Sequence, residues 1–153
     1  AVDHTPPKVT ISGVKDNSNL KESEVQLKIT LSDKYLYSID ELKGDDMIIK
    51  LNGVTYNFDN LDKLDAEVFN DDEESIVVLM NIKADGKNSM NNISASLADK
   101  ADNVSDFSDS ALSFRLSATF FMRHGIITFV IAVIIVIVFI PCIWFIAKKV
   151  KKS

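Results

Sequence analysis

The first 141 residues contain no cysteine, and the single one, Cys142, lies inside a long apolar run. No disulfide can therefore form within the chain, and a thiol nucleophile in a water-filled site is excluded. The two histidines, His4 and His124, stand near opposite ends of the polar part of the chain, so they cannot form a zinc-binding helix pair, and there is no Cys-x-x-Cys. The five glycines form no phosphate loop and no Gly-x-Ser-x-Gly elbow. Carboxylates are plentiful, but they lie in polar runs that read as solvated surface rather than as catalytic dyads. These absences point away from an enzyme, and no cofactor is expected.

Charge of one sign is also missing from part of the chain. Residues 118–153 hold five basic and no acidic residues, whereas residues 1–117 hold 12 Lys and Arg against 22 Asp and Glu, a net of −10. An acidic domain is repelled by phosphate, so no nucleic-acid partner is expected.

Residues 126–147 read IITFVIAVIIVIVFIPCIWFIA and carry no charge. At about 1.5 Å per residue, a helix of this length spans roughly 33 Å, enough for a hydrocarbon core of about 30 Å. Lipid offers no hydrogen-bond partners, so a single crossing segment must be helical despite its many β-branched residues. Lys148, Lys149, Lys151 and Lys152 follow the run, and only Arg123 and His124 precede it closely. That asymmetry predicts a cytoplasmic tail at 148–153, a connection at 118–125 and an N-terminal domain outside, in a single-pass cell-membrane protein. Phe120 and Phe121 on one side and Trp144 on the other are the expected interfacial anchors. Pro141 removes one helical hydrogen bond. Cys142 reads as a small apolar membrane residue, with acylation as the alternative. Thr128 and Ala132 have the spacing of a small-residue helix contact, more commonly plain lipid-facing packing.

The polar part reads as strands. Pro6 and Pro7 make residues 1–7 a linker or lead-in. Val9 and Ile11 alternate with Lys8, Thr10 and Ser12. Residues 13–20 read as a turn. Val25, Leu27, Ile29 and Leu31 alternate with polar residues, the clearest half-buried strand. Ser38 and Glu41 have capping-box spacing for one helical turn, with Gly44 after it. Met47–Leu51 and Val54–Phe58 flank Asn52–Gly53, a pair that accepts the two positive φ values of a type I′ hairpin turn. Residues 59–75 read as an acidic loop, with a short helix suggested by Leu61, Leu64 and Val68. The run Asp71–Glu74 reads as solvated, since it lacks the alternation and turn glycine of a calcium loop. Further strands follow at Ile76–Ile82, Ile93–Ala98 and Leu112–Leu116. Seven short strands with turns between them predict an all-β antiparallel sandwich over residues 8–117.

HTPPKVTISGVKD, VQLKITLSD, IIKLNGVTYNF and ISASLADKADNVS together resemble the bacterial Ig-like repeats of surface proteins. Those repeats commonly open with T-P-P-x-V, carry an L-N-G hairpin and close with a D-x-A-G-N-x-S turn before the last strand. The resemblance covers roughly residues 3–117. Asp102 stands where the family usually has glycine, and aspartate tolerates the left-handed region better than most residues. The acidic 59–75 stretch is longer than usual. The resemblance implies an Ig-like sandwich acting as a stalk or adhesive module. No L-P-x-T-G signal precedes the apolar run, so the helix is expected to remain as the anchor.

The expectation is a membrane-proximal module and anchor of a bacterial cell-surface protein. Its expected partners are the bilayer, upstream domains of a longer polypeptide, and a cell-surface protein or glycan. The alternatives are the non-catalytic tail of a surface enzyme and a single-pass receptor subunit. Asp99, Asp102 and Asn103 are the candidate calcium ligands at a domain junction, weighed against plain turn geometry. Asn92-Ile93-Ser94 and Asn103-Val104-Ser105 match the glycosylation pattern, which matters only for a eukaryotic source.

Overall fold

The computed structural model describes residues 3–85, 89–117 and 120–151, with side chains omitted for 120–129, 150 and 151. Among the described residues the chain is mostly β, with nine strands in two sheets and one C-terminal apolar helix. The first sheet contains β1 (Lys8–Ser12), β3 (Glu24–Ser32), β7 (Ser75–Lys83) and β6 (Ala66–Asp72), in that order. The second runs β2 (Ser18–Leu20), β9 (Leu112–Leu116), β8 (Met90–Leu97), β4 (Met47–Leu51) and β5 (Val54–Asn57). Every pairing between these strands is antiparallel except β2 with β9.

Alternation sets the strand faces. In β3 the residues Val25, Leu27, Ile29 and Leu31 are buried, while Gln26 and Lys28 are exposed. One cluster of buried residues draws on both sheets, with Leu27, Ile29 and Met80 from the first, and Ile49, Ala95 and Phe114 from the second. At about 25 cal/mol per Å² of apolar area, a buried Phe or Leu contributes about 1.5–3 kcal/mol, so this shared core carries the domain. β7 is central to its sheet and apolar on both faces, with Ile76, Val77 and Val78 at most 1 % exposed.

Local chemistry explains the turns. Asn52 and Gly53 have φ of 52° and 82°, as the type I′ hairpin requires. Half of the expected capping box forms: Glu41 accepts from the Ser38 backbone N–H at 2.9 Å, and the Glu41 and Leu42 N–H groups return to Ser38 O at 3.0 and 3.2 Å, which closes a turn rather than a helix. Asp102 occupies the left-handed region at φ 60° in the turn where the Ig-like pattern has glycine.

Two expected turns are strands. Residues 18–20, expected within a turn, form β2. Its ladder to β9 satisfies backbone groups that the local sequence could not. Residues 66–72, expected in an acidic loop, form edge strand β6, in which Ala66 and Val68 pack against the core. The expected helix through Leu61, Leu64 and Val68 does not form. A 3-10 segment spans Phe58–Lys63 and ends at Leu64, whose backbone is extended.

Where β9 stops pairing with β8, serines take over. Ser110 Oγ accepts from Ala95 N–H at 2.9 Å and donates to Ala95 O at 3.0 Å, and Ser105 Oγ accepts from Leu97 N–H at 2.8 Å. Both serines are buried, so these hydroxyls supply bonds that water cannot.

The register defines two ends. Ser32, Ser75 and Lys8 meet at one, where the chain comes in; Glu24, Lys83 and Leu116 mark the other, where β9 leads to the helix. That helix, α1, spans Phe120–Lys151 and continues through Pro141. It therefore includes residues 120–125, expected as connection. Phe120 and Phe121 lie outside the described side chains.

Candidate functional site

Two regions bear on function: the helix and the end of the β domain where the chain comes in. In α1, Val130–Lys149 is long and apolar enough to cross a membrane, and none of it is buried against the domain. Ile137, Phe139, Ile143, Trp144 and Phe145 are all more than 60 % exposed. Water makes such a surface costly, so it needs an apolar medium or a partner. Lys148 Nζ lies 5.0 Å from the Trp144 ring centroid, placing a cation and an indole together at the helix's basic end.

At the far end of the domain, the turn 99–103 is built around Asp99, whose side chain is fully buried. Asp99 Oδ1 accepts from Ala101 N–H at 2.8 Å and from Asn103 N–H at 2.9 Å, while Oδ2 accepts from Asn103 Nδ2 at 3.0 Å. Burial pushes the Asp99 carboxyl up, but these hydrogen bonds to the charged form outweigh it and hold it below the usual carboxylate range. Asn103 Nδ2 also donates to Asp3 O at 3.2 Å and to Asp3 Oδ2 at 3.3 Å. Thr5 N–H closes on Asp3 Oδ1 at 3.1 Å, and Pro7 is buried. The lead-in is thus fastened to the domain by the closing turn, about a hundred residues later.

Of the three candidate calcium ligands, only Asp99 joins a carboxylate group. One oxygen each from Asp3, Asp33 and Asp99 lies within 4.8 Å of the others. Ligands on opposite sides of a calcium ion stand about 4.8 Å apart, so the donors and their spacing are compatible with a hard cation. Asp102 is exposed and outside the group, and its contribution is the left-handed turn. Asn103 reaches the group through its N–H donors, which partly offset the repulsion between carboxylates. Asp3 and Asp33 were not singled out from the sequence. They come from the lead-in and from the residue after β3, and only the paired β1 and β3 bring them together.

Beside this turn is an open depression of about 560 Å³, lined by Tyr37, Glu41, Asn70, Asp72, Glu73 and Lys100 among others. Lys100 Nζ is 3.2 Å from Glu41 Oε2 and 6.0 Å from the Tyr37 ring centroid. The Ser38 backbone N–H and Lys100 hold the Glu41 carboxyl below its ordinary range. All four residues of the neighbouring run 71–74 are exposed, and Asp72 Oδ1 accepts from Glu74 N–H and Ser75 Oγ. Asn92 accepts from Ser113 Oγ at 2.6 Å, and so serves the β8–β9 pair.

No protein-family model matches this chain, and no curated protein matches it.

Proposed function

We infer that the chain is the membrane-proximal Ig-like module and C-terminal anchor of a bacterial cell-surface protein, working as a stalk or spacer rather than as a catalyst. The observation that carries this reading is the bare apolar helix that follows, in the chain, a β domain with its own core. A helix that left the domain to pack nowhere would be a defect in water and is the requirement in lipid.

Strand order supports the Ig-like assignment. Lettering the strands A, A′, B, C, C′, D, E, F and G in chain order gives sheets A-B-E-D and A′-G-F-C-C′. That is the arrangement of immunoglobulin sandwiches, without their inter-sheet disulfide. The missing cysteines favour a bacterial surface over an animal one. The basic residues after the span favour an outward domain and a cytoplasmic tail. A lead-in pinned by Asn103 suits a spacer, because an upstream domain would be held at a fixed angle. Adhesive contact with a surface protein or glycan would fall at the depression beside Tyr37, at the end farther from the bilayer.

The test is expression behind an export signal followed by alkaline carbonate extraction. The chain is expected to stay in the membrane pellet. Its release into the soluble fraction would overturn the reading.

A further inference from the structure

Trp144 and Phe145 stand one helical turn before Lys148 and Lys149. Residues four apart share a face of a helix, so two neighbouring rows each run from an aromatic ring to an ammonium group. Between the rows lies an open groove of about 490 Å³, lined by these same residues. Lys148 Nζ lies 5.0 Å from the Trp144 ring centroid, and all of these side chains are exposed. The groove is therefore apolar at one end and cationic at the other.

No neighbour neutralises the cationic end. Among the described residues, neither Lys148 nor Lys149 enters an ion pair. Residues 118–153 hold no acidic residue, and Lys151 and Lys152 follow in the chain. Cations that flank one groove repel each other until an anion joins them. Charge alone would suit any anion. The rings add a second condition, because the ligand must present apolar surface one turn away from its negative group. A free phosphate or an acidic peptide meets the first condition and not the second.

We propose that this groove binds an anionic phospholipid of the leaflet at the basic end of the span. The proposal deepens the anchor reading, which supplies the bilayer. The lipid phosphate sits between the two lysine ammonium groups, and an acyl chain lies along the Trp144 and Phe145 rings. A zwitterionic lipid has the same chains and phosphate, but it also carries a cation that the lysines repel. Each basic residue near a membrane surface favours anionic lipid by roughly fivefold, and salt screens the attraction. Such a site gathers anionic lipid around the anchor and draws the anchored domain to regions rich in that lipid.

Trp144 is the chain's single tryptophan, so its fluorescence reports on the groove. The full chain is reconstituted in vesicles of phosphatidylcholine and phosphatidylglycerol in equal parts, with bromine on the acyl chains of one lipid or the other. Bromine quenches an indole on contact. Brominated phosphatidylglycerol is expected to quench Trp144 more strongly than brominated phosphatidylcholine, with a preference of at least about fivefold that shrinks in high salt. Lys148→Gln combined with Lys149→Gln should make the two lipids equal. Arg123→Gln, beyond the other end of the span, should leave the preference in place, and soluble glycerol phosphate should not compete. The proposal is overturned if both lipids quench the unaltered chain equally or if the double variant keeps the preference. Loss of the preference in Arg123→Gln, or competition by glycerol phosphate, would overturn it as well. Equal quenching leaves the anchor reading standing, because both lipids still reach Trp144; no quenching by either lipid overturns both readings.

Discussion

β7 and the middle of α1 are made of the same residue types and have opposite structures. Ile76, Val77 and Val78 are extended and at most 1 % exposed; Val136, Ile137 and Val138 are helical and 55–62 % exposed. Intrinsic preference favours strand for both. What differs is where each finds its hydrogen bonds and its apolar surroundings. β7 has β3 and β6 on either side to accept its ladder, and a core against its face. Among the described residues α1 has no such neighbour; its backbone closes on itself and its side chains stay exposed, as a crossing of lipid would require. β-branched residues thus follow their surroundings rather than their propensity.

Substitutions can break this comparison. The largest effect is expected from Val78→Asp, which buries an unpaired carboxylate at a fully covered position. Its cost, on the order of 4–5 kcal/mol or more, rivals the whole stability of a small domain. Circular dichroism should show the β signal lost and the helical signal kept in detergent. Ile76→Ala should cost about 2–5 kcal/mol, read as a lower urea midpoint, because a packed core cannot refill the cavity. Ile137→Asp should cost about 2.5–3.5 kcal/mol of membrane insertion while leaving the β domain's urea midpoint in place. A fall in that midpoint would mean that α1 packs on the sheets.

Asp99 gives an intermediate effect with a pH signature. Its carboxyl is held below the unfolded value of about 3.9, so its contribution is present above that pH and is lost as pH falls through the folded value. Asp99→Asn should flatten the decline of the urea midpoint in acid, and Asp99→Ala should cost about 1–3 kcal/mol at neutral pH, read as a lower midpoint. The smallest effect is expected from Ile137→Ala. Fluid lipid fills the space that a protein core would leave empty, so neither membrane retention nor the midpoint should change measurably.

Much of the molecule was legible because its signals are local. The alternation in β3, the two positive φ values at Asn52–Gly53 and the Ser38–Glu41 backbone-to-carboxylate bond each depend on a few neighbouring residues. The parts that were missed depend on distant partners. β2 has the composition of a turn and is a strand only because β9, almost a hundred residues later, pairs with it. β6 hides two small inward residues, Ala66 and Val68, among acids suited to an edge that must not recruit another strand. At the candidate site, Asp99 was legible from its turn motif. Asp3 and Asp33 were not, because three loops converge only after both sheets form.

Sidedness tests the central claim most directly. In a Cys142→Ser background, Thr5→Cys and Ser153→Cys variants would be treated with a membrane-impermeant maleimide on intact, right-side-out membranes. A domain outside and a tail inside predict labelling at position 5 before permeabilisation and at position 153 only after it. Labelling of both positions on intact membranes, or of position 153 alone, would contradict the account.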